Sequence, residues 1–175
     1  KSCVAPLGTA VTTKQLELLW KISPEPIIIM DGDIAGLRAA NKLIDILLPL
    51  IKFDKTARFC FLPEGNDPDD FVNEHGSEAF KDLISKSISL SECIWNRETR
   101  NVVFDSPERI SALNNQLQLL IGKISDKNLR SEYFNYFQKV KKDFFSVITH
   151  ESRPSFKDYK TSESKKFDRN RAREF

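Results

Sequence analysis

Apolar and polar positions along the chain follow two successive patterns, with the change near residue 76. Ser2 to Leu7 is a short apolar run closed by Gly8-Thr9, as expected of a strand. Thr12-x-x-Gln15 has the form of a capping box and opens a helix carrying Leu16, Leu18, Leu19 and Trp20. Pro24 and Pro26 break that pattern. Ile27-Ile28-Ile29-Met30 is then a continuous apolar run, the signature of a strand buried on both faces. From Ile34 to Lys52 the positions Leu37, Ala40, Leu43, Ile44, Leu47, Leu48 and Ile51 recur at helical spacing. Arg58 to Leu62 reads as the next strand and Pro63 to Pro68 as the loop after it. Strands alternating with helices over short links predict an α/β fold with a mainly parallel sheet.

Beyond residue 76 only helices are predicted. Ser77 is placed to cap a helix running towards Arg97. Ser106-Pro107-Glu108 supplies a cap, a proline at the first helical position and an acid in the first turn. Ile110, Leu113, Leu117, Leu120, Ile121 and Ile124 follow as an apolar stripe. Ser125 or Asp126 then caps a last helix with Leu129, Tyr133, Phe137, Val140 and Phe144 on one face. From Glu151 onward apolar residues are too few to offset the entropy of ordering, so 151–175 reads as a linker. The expected organisation is 1–76, 77–150 and 151–175.

The densest apolar stretch, Leu43 to Ile51, is broken by Asp45 and Pro49. It falls far short of the roughly 20 residues a membrane helix needs. No signal-peptide pattern opens the chain. Cys3, Cys60 and Cys93 are odd in number and include no CxxC pair, which argues against a disulfide framework and against a zinc site here. Isolated thiols are expected in cores, and a reducing, cytoplasmic setting fits them. The net charge of +2 is uneven: 151–175 holds eight Lys/Arg and five Asp/Glu, leaving 1–150 at minus one. Such a body does not grip DNA by bulk charge. The sole methionine is Met30, so the sequence reads as part of a longer chain.

Candidate chemistry concentrates in two acidic loops. Asp31-Gly32-Asp33 directly follows the Ile27–Met30 strand, at the strand end where open parallel sheets bind ligands. Residues two apart in extended chain face the same side, about 7 Å apart, and two such carboxylates repel unless a cation lies between them. Mg²⁺ prefers oxygen ligands and completes its shell with water and phosphate. Gly32 removes bulk, and the following helix aims its positive end at the site. The second loop, Asp67-Pro68-Asp69-Asp70, follows the next strand, and Pro68 holds Asp67 extended. Convergence of the two loops would suit metal-assisted phosphoryl or nucleotidyl transfer. The alternative is structural: in the DGD, Asp-Gly marks turns and Asp caps helices, and Asp69 or Asp70 would serve as the N-cap of a short helix. His75 and His150 lack partners at ligand spacing, and no Walker loop, GxGxxG or aromatic–basic alternation is present.

Taken in order, these segments resemble the bacterial DNA primases. Val4-Ala5-Pro6-Leu7-Gly8-Thr9-Ala10 with Thr12 is similar to their V-A-x-L-G-T-A-x-T segment, and Asp31-Gly32-Asp33-x-Ala35-Gly36-x-x-Ala39-Ala40 to their DGDxAGxxAA motif. Leu62-Pro63-Glu64-Gly65-x-Asp67-Pro68-Asp69, then Gly76-x-x-Ala79-Phe80, resembles their LPxGxDPD run. The similarity continues more loosely to Ser89-Leu90-Ser91. The resemblance implies a Toprim fold, Rossmann-like and here truncated, followed by an all-α subdomain. It implies synthesis of RNA primers from ribonucleoside triphosphates on a single-stranded DNA template. Asp31 and Asp33 would bind catalytic Mg²⁺ or Mn²⁺, and Asp67 and Asp69 would help hold metal and nucleotide. The tail would lead towards a domain contacting the replicative helicase. The family's EGYxD glutamate strand, its zinc module and its basic template-guiding subdomain have no counterpart in these residues, so the isolated chain is expected to make no primers. Competing readings are a haloacid-dehalogenase-like phosphatase, to which Ile34-Ala35-Gly36 after the DGD fits poorly, another Toprim phosphodiester enzyme, and a non-catalytic binding module.

Overall fold

The computed structural model describes residues 3–5 and 11–151. Cys3 to Ala5 carry no regular structure, and the rest of the expected first strand lies outside the described residues, as does 152–175. The described elements are α1 (Thr13–Ile22), β1 (Ile27–Met30), α2 (Ile34–Leu47), β2 (Arg58–Phe61), α3 (Pro68–Ser85), β3 (Ile88–Ser89), α4 (Leu90–Thr99), α5 (Pro107–Gly122) and α6 (Lys127–Glu151). Two compact units divide the chain, 1–137 and 138–175, the division falling within α6.

Helix α1 starts as its capping box requires. Thr12 N–H donates to Gln15 Oε1 (2.8 Å), and Gln15 N–H donates to Thr12 Oγ1 (3.4 Å). Leu16 and Trp20 are buried, whereas Leu18 points to solvent. The Trp20 indole N–H donates to the Thr56 carbonyl at 2.8 Å and ties α1 to the segment leading into β2.

The sheet has the order β1-β2-β3. β1 and β2 pair in parallel with Met30 opposite Phe61, and β3 joins β2 antiparallel with Ile88 opposite Phe59. The sheet is therefore mixed. β2 is central, and its Phe59 and Cys60 are buried. β1 departs from the expected burial on both faces: Ile27 is exposed and Ile28 to Met30 are half-buried. Among the described residues it pairs with β2 alone and forms one edge of the sheet.

α2 packs on β1 and α4, and α4 also packs on β2, β3 and α5. The α2 stripe predicted from spacing is the core face: Ala40, Leu43, Ile44, Leu47, Leu48 and Ile51 are buried. The helix ends at Leu47, earlier than the predicted Lys52, because Pro49 has no N–H to continue the ladder. Ile51 N–H returns to the Leu47 carbonyl instead.

The reading of one helix from Ser77 to Arg97 is corrected. α3 begins at Pro68 and kinks at Gly76, whose φ of 83° and ψ of 167° belong to glycine alone. It stops at Ser85, β3 intervenes, and Ser89 caps α4 by accepting from Glu92 N–H. Ser106 caps α5 with Pro107 at its start, and Leu113, Leu117, Leu120, Ile121 and Ile124 are buried. Asp126 caps α6: its Oδ1 accepts from Asn128 and Leu129 N–H at 2.9 and 3.0 Å. Ser125 instead donates to the Pro49 carbonyl. Within the first unit Phe137 is buried between Trp95 and Tyr133, with ring centroids 6.4 and 6.1 Å away. Among the described residues no helix is long and apolar enough to cross a membrane.

Candidate metal centre

The parallel pairing of β1 and β2 decides where the two acidic loops emerge. Both strands run in the same direction, so both loops leave the same edge of the sheet, and each leads into a helix starting there. Pairing extends one step past β2, as Leu62 N–H donates to the Met30 carbonyl at 2.9 Å. Asp31 thus begins its loop level with Leu62.

Two glycines hold the DGD loop by close backbone approach. A Cβ on Gly32 would lie 2.0 Å from the Leu62 carbonyl oxygen and 2.7 and 2.9 Å from main-chain atoms of Pro63 and Glu64. A Cβ on Gly36 would lie 2.1 Å from the Asp31 carbonyl oxygen. The bulk that Gly32 omits is therefore bulk against the neighbouring loop, and not between the two carboxylates. Gly32 presses Asp31-Gly32-Asp33 onto the end of β2, and Gly36 lets the first turn of α2 close onto Asp31.

Asp31 and Asp33 are both exposed. Asp33 is the N-cap of α2: its Oδ1 accepts the Gly36 N–H at 2.7 Å. One oxygen is thus committed to the helix start and the other is left to face solvent. Asp31 makes no hydrogen bond or ion pair among the described residues. In the second loop Gly65, at φ 87°, sits in a turn closed by Asn66 N–H to the Pro63 carbonyl. Asp67, and not Asp69 or Asp70, is the N-cap of α3. Its Oδ1 accepts from both Asp69 and Asp70 N–H at 2.8 Å. Asp69 is exposed and its Oδ2 accepts from Asn73 Nδ2 at 3.3 Å. Asn66 Nδ2 donates to Glu74 Oε2 at 3.2 Å, joining the loop to α3. These two asparagine contacts were not anticipated; the Asp69–Asn73 spacing of four was the available signal.

The acid pair suits a hard cation. It offers carboxylate oxygens only, on one exposed loop at the N-terminus of α2, with coordination positions left for water and phosphate. Among the described residues no three His, Cys, Asp or Glu side chains stand together as a metal-holding group. The two loops leave one edge without forming a closed cage. His75 packs edge-on against Phe71, centroids 4.6 Å apart, in keeping with a packing residue. Cys60 and Cys93 are buried as expected, whereas Cys3 is exposed. Burial raises both buried thiols, Cys93 to about 11.

Residues 1–72 match the Toprim-like family. A DNA primase of Rickettsia felis is 43% identical over 136 residues, which cover 78% of this chain and 23% of that protein. Among solved structures, a DNA primase domain from Pseudomonas aeruginosa superposes with a TM-score of 0.70 at 30% identity, over 77% of this chain and 42% of that one. A DnaG primase catalytic domain bound to ssDNA gives 0.69 at 30% identity, over 76% of this chain and 43% of that one. The chain spans about a quarter of the length of the curated relatives it matches.

Proposed function

This chain belongs to the DnaG-type bacterial DNA primases, and on that premise we propose that it carries part of the centre that joins ribonucleotides into short RNA primers on single-stranded DNA. The reading makes it a segment of a nucleotidyltransferase acting in the cytoplasm in DNA replication. Residues 1–76 form the metal-bearing part and 77–150 the helical part. A replicative helicase would be reached through a further domain of the whole protein, as the family resemblance implies. The supporting observation is the DGD loop: two exposed carboxylates at the end of a parallel strand, pressed by Gly32 onto the neighbouring loop that leads to Asp67 and Asp69. The family match sets aside the phosphatase alternative.

Asp31 and Asp33 would hold Mg²⁺ or Mn²⁺, with Asp67 and Asp69 on the adjoining loop contributing to metal and nucleotide. Bound there, the cation would stabilise charge on the attacking and leaving oxygens. The protein's own part is positioning. The Gly36 N–H fixes the Asp33 carboxylate, the packed Gly32 fixes Asp31 relative to β2, and two helix N-termini favour the phosphate charge. Asp67, engaged by two backbone N–H groups, sets the start of α3 and with it Asp69.

The test is primer synthesis on single-stranded DNA by the full-length parent protein, with Asp31→Asn and Asp33→Asn beside it. The expected loss is about two orders of magnitude or more in each variant. Variants as active as the parent would show the loop to be structural. The isolated chain is expected to make no primers, and primer synthesis by it would contradict that expectation.

A further inference from the structure

We propose that the groove between α5 and α6 is a second contact for the template, taking one nucleotide of single-stranded DNA with its base against Phe134 and its phosphate between Lys127 and Arg130. The proposal rests on the reading above that the protein works on a single-stranded template, but its site is separate from the acid pair and needs no metal.

The groove has a volume of about 420 Å³, within the range of small-molecule pockets. Its α6 wall is one helix face: Lys127, Arg130, Ser131 and Phe134 stand at i, i+3, i+4 and i+7. Gln118 and Ile121 of α5 face them, and a Cβ added at Gly122 would meet nothing within 4 Å. The lining holds two cations and no acid. Arg130 is held in place: its Nε and Nη2 donate to the Ile124 carbonyl at 2.9 and 2.6 Å. Its charge therefore stays at the groove. Asp126 already accepts from the N–H groups of Asn128 and Leu129, so side-chain charge supplies the attraction.

Phe134 supplies the second half of the argument. One turn further on, Phe137 is 2% exposed in the core, whereas Phe134 is 42% exposed at the groove wall. A lone planar ring beside two cations and the polar ends of Gln118 and Ser131 matches the alternation of base and phosphate in a single strand. An acidic peptide would satisfy the cations but would want a row of apolar pockets, and the groove offers one ring and Ile121.

The experiment measures binding of fluorescein-labelled dT10 to the 175-residue chain by anisotropy, in EDTA, over a salt series. Phe134→Ala is expected to weaken binding about fivefold or more, with Phe134→Tyr retaining it. Lys127→Gln is expected to lower the salt slope by about one. Circular dichroism of each variant checks that the fold is kept, as the exposure of both residues leads one to expect. Because binding is read in EDTA, with no metal, failure of the metal reading leaves this result untouched and the two failures are distinguishable. The proposal is overturned if dT10 does not bind or if Phe134→Ala binds like the parent. It is equally overturned if inorganic polyphosphate or poly-glutamate competes as well as dT10, or if rU10 is preferred.

Discussion

Replacing Gly32 by alanine would put a methyl group where main chain already lies. The new Cβ would sit 2.0 Å from the Leu62 carbonyl oxygen, with Pro63 and Glu64 main-chain atoms at 2.7 and 2.9 Å. No side-chain rotation relieves a contact with backbone. Reaching ordinary contact at 3.4 Å demands that the two loops part by about 1.4 Å, the difference between those distances. Overpacking of this kind costs about 1–3 kcal/mol. Loss of the adjoining Leu62-to-Met30 hydrogen bond adds about 1 kcal/mol. With a urea slope of about 2 kcal/mol/M, the unfolding midpoint of Gly32→Ala should fall by about 1–2 M. Both carboxylates remain in the variant. Even so, primer synthesis by the full-length parent should drop about a hundredfold, because an ångström of misplacement is enough. A midpoint within about 0.3 M of the parent, with activity kept, would refute the claim that this contact holds the acid pair.

The remaining predictions concern the scaffold. Gly76→Ala and Gly122→Ala should move thermal stability in opposite directions, although neither added Cβ meets anything within 4 Å. The first forces alanine to φ 83° and costs about 1–3 kcal/mol, and the second gains about 0.5–1 kcal/mol in an exposed last turn of α5. The same sign for both would show that backbone strain is not what distinguishes them. In alkylation at pH 8, Cys3 should label first and the buried pair slowly. Cys93, raised from 9.0 to about 11, favours the folded state fully below pH 9; that contribution is lost as pH climbs from 9 to 11, which a pH series of Cys93→Ala against the parent would detect. Lys123→Ala, removing a half-exposed partner of Asp45, should cost under about 1 kcal/mol. Arg97→Ala, whose side chain is 14% exposed and bonded to Glu98 and Asn41, should cost about 2 kcal/mol in denaturant unfolding.

Local rules with local causes were readable in advance. Thr12 with Gln15, Ser106 with Pro107, and the stripes on α2 and α5 need only neighbours within a turn or a single buried face, and the structure has them. Where two residues competed for one role, tertiary contact decided. Ser125 and Asp126 are both good caps, but the Pro49 carbonyl draws Ser125 away. At Asp67, Asp69 and Asp70 the cause is local instead: Pro68 at the first helical position makes the residue before it the cap. β3 is two residues long and has no periodicity to read; it exists because β2 offers it an edge. The burial of β1 was overstated because an Ile run reports what a strand prefers to touch, and β1 lies at the edge of the described sheet. The DGD and DPD loops carried the family resemblance through their order and spacing. How far they converge was not legible, since that depends on the close approach of Gly32 to Leu62, a contact between segments 30 residues apart.

Helix α2 connects two kinds of order in this molecule. At 14 residues it is a rod of about 21 Å. Asp33 sits at one end; near the other Asp45 takes Lys123, the C-cap of α5, and midway along Arg97 of α4 reaches the Asn41 carbonyl. A sideways displacement of 1 Å at the far end of such a rod is a tilt of about 3° at the near one. The aim of the Asp33 carboxylate is thus only as steady as the footing of the helix in the bundle behind it. Replacements made there for solubility or expression would show up as lost pointing accuracy at an acid they never touch.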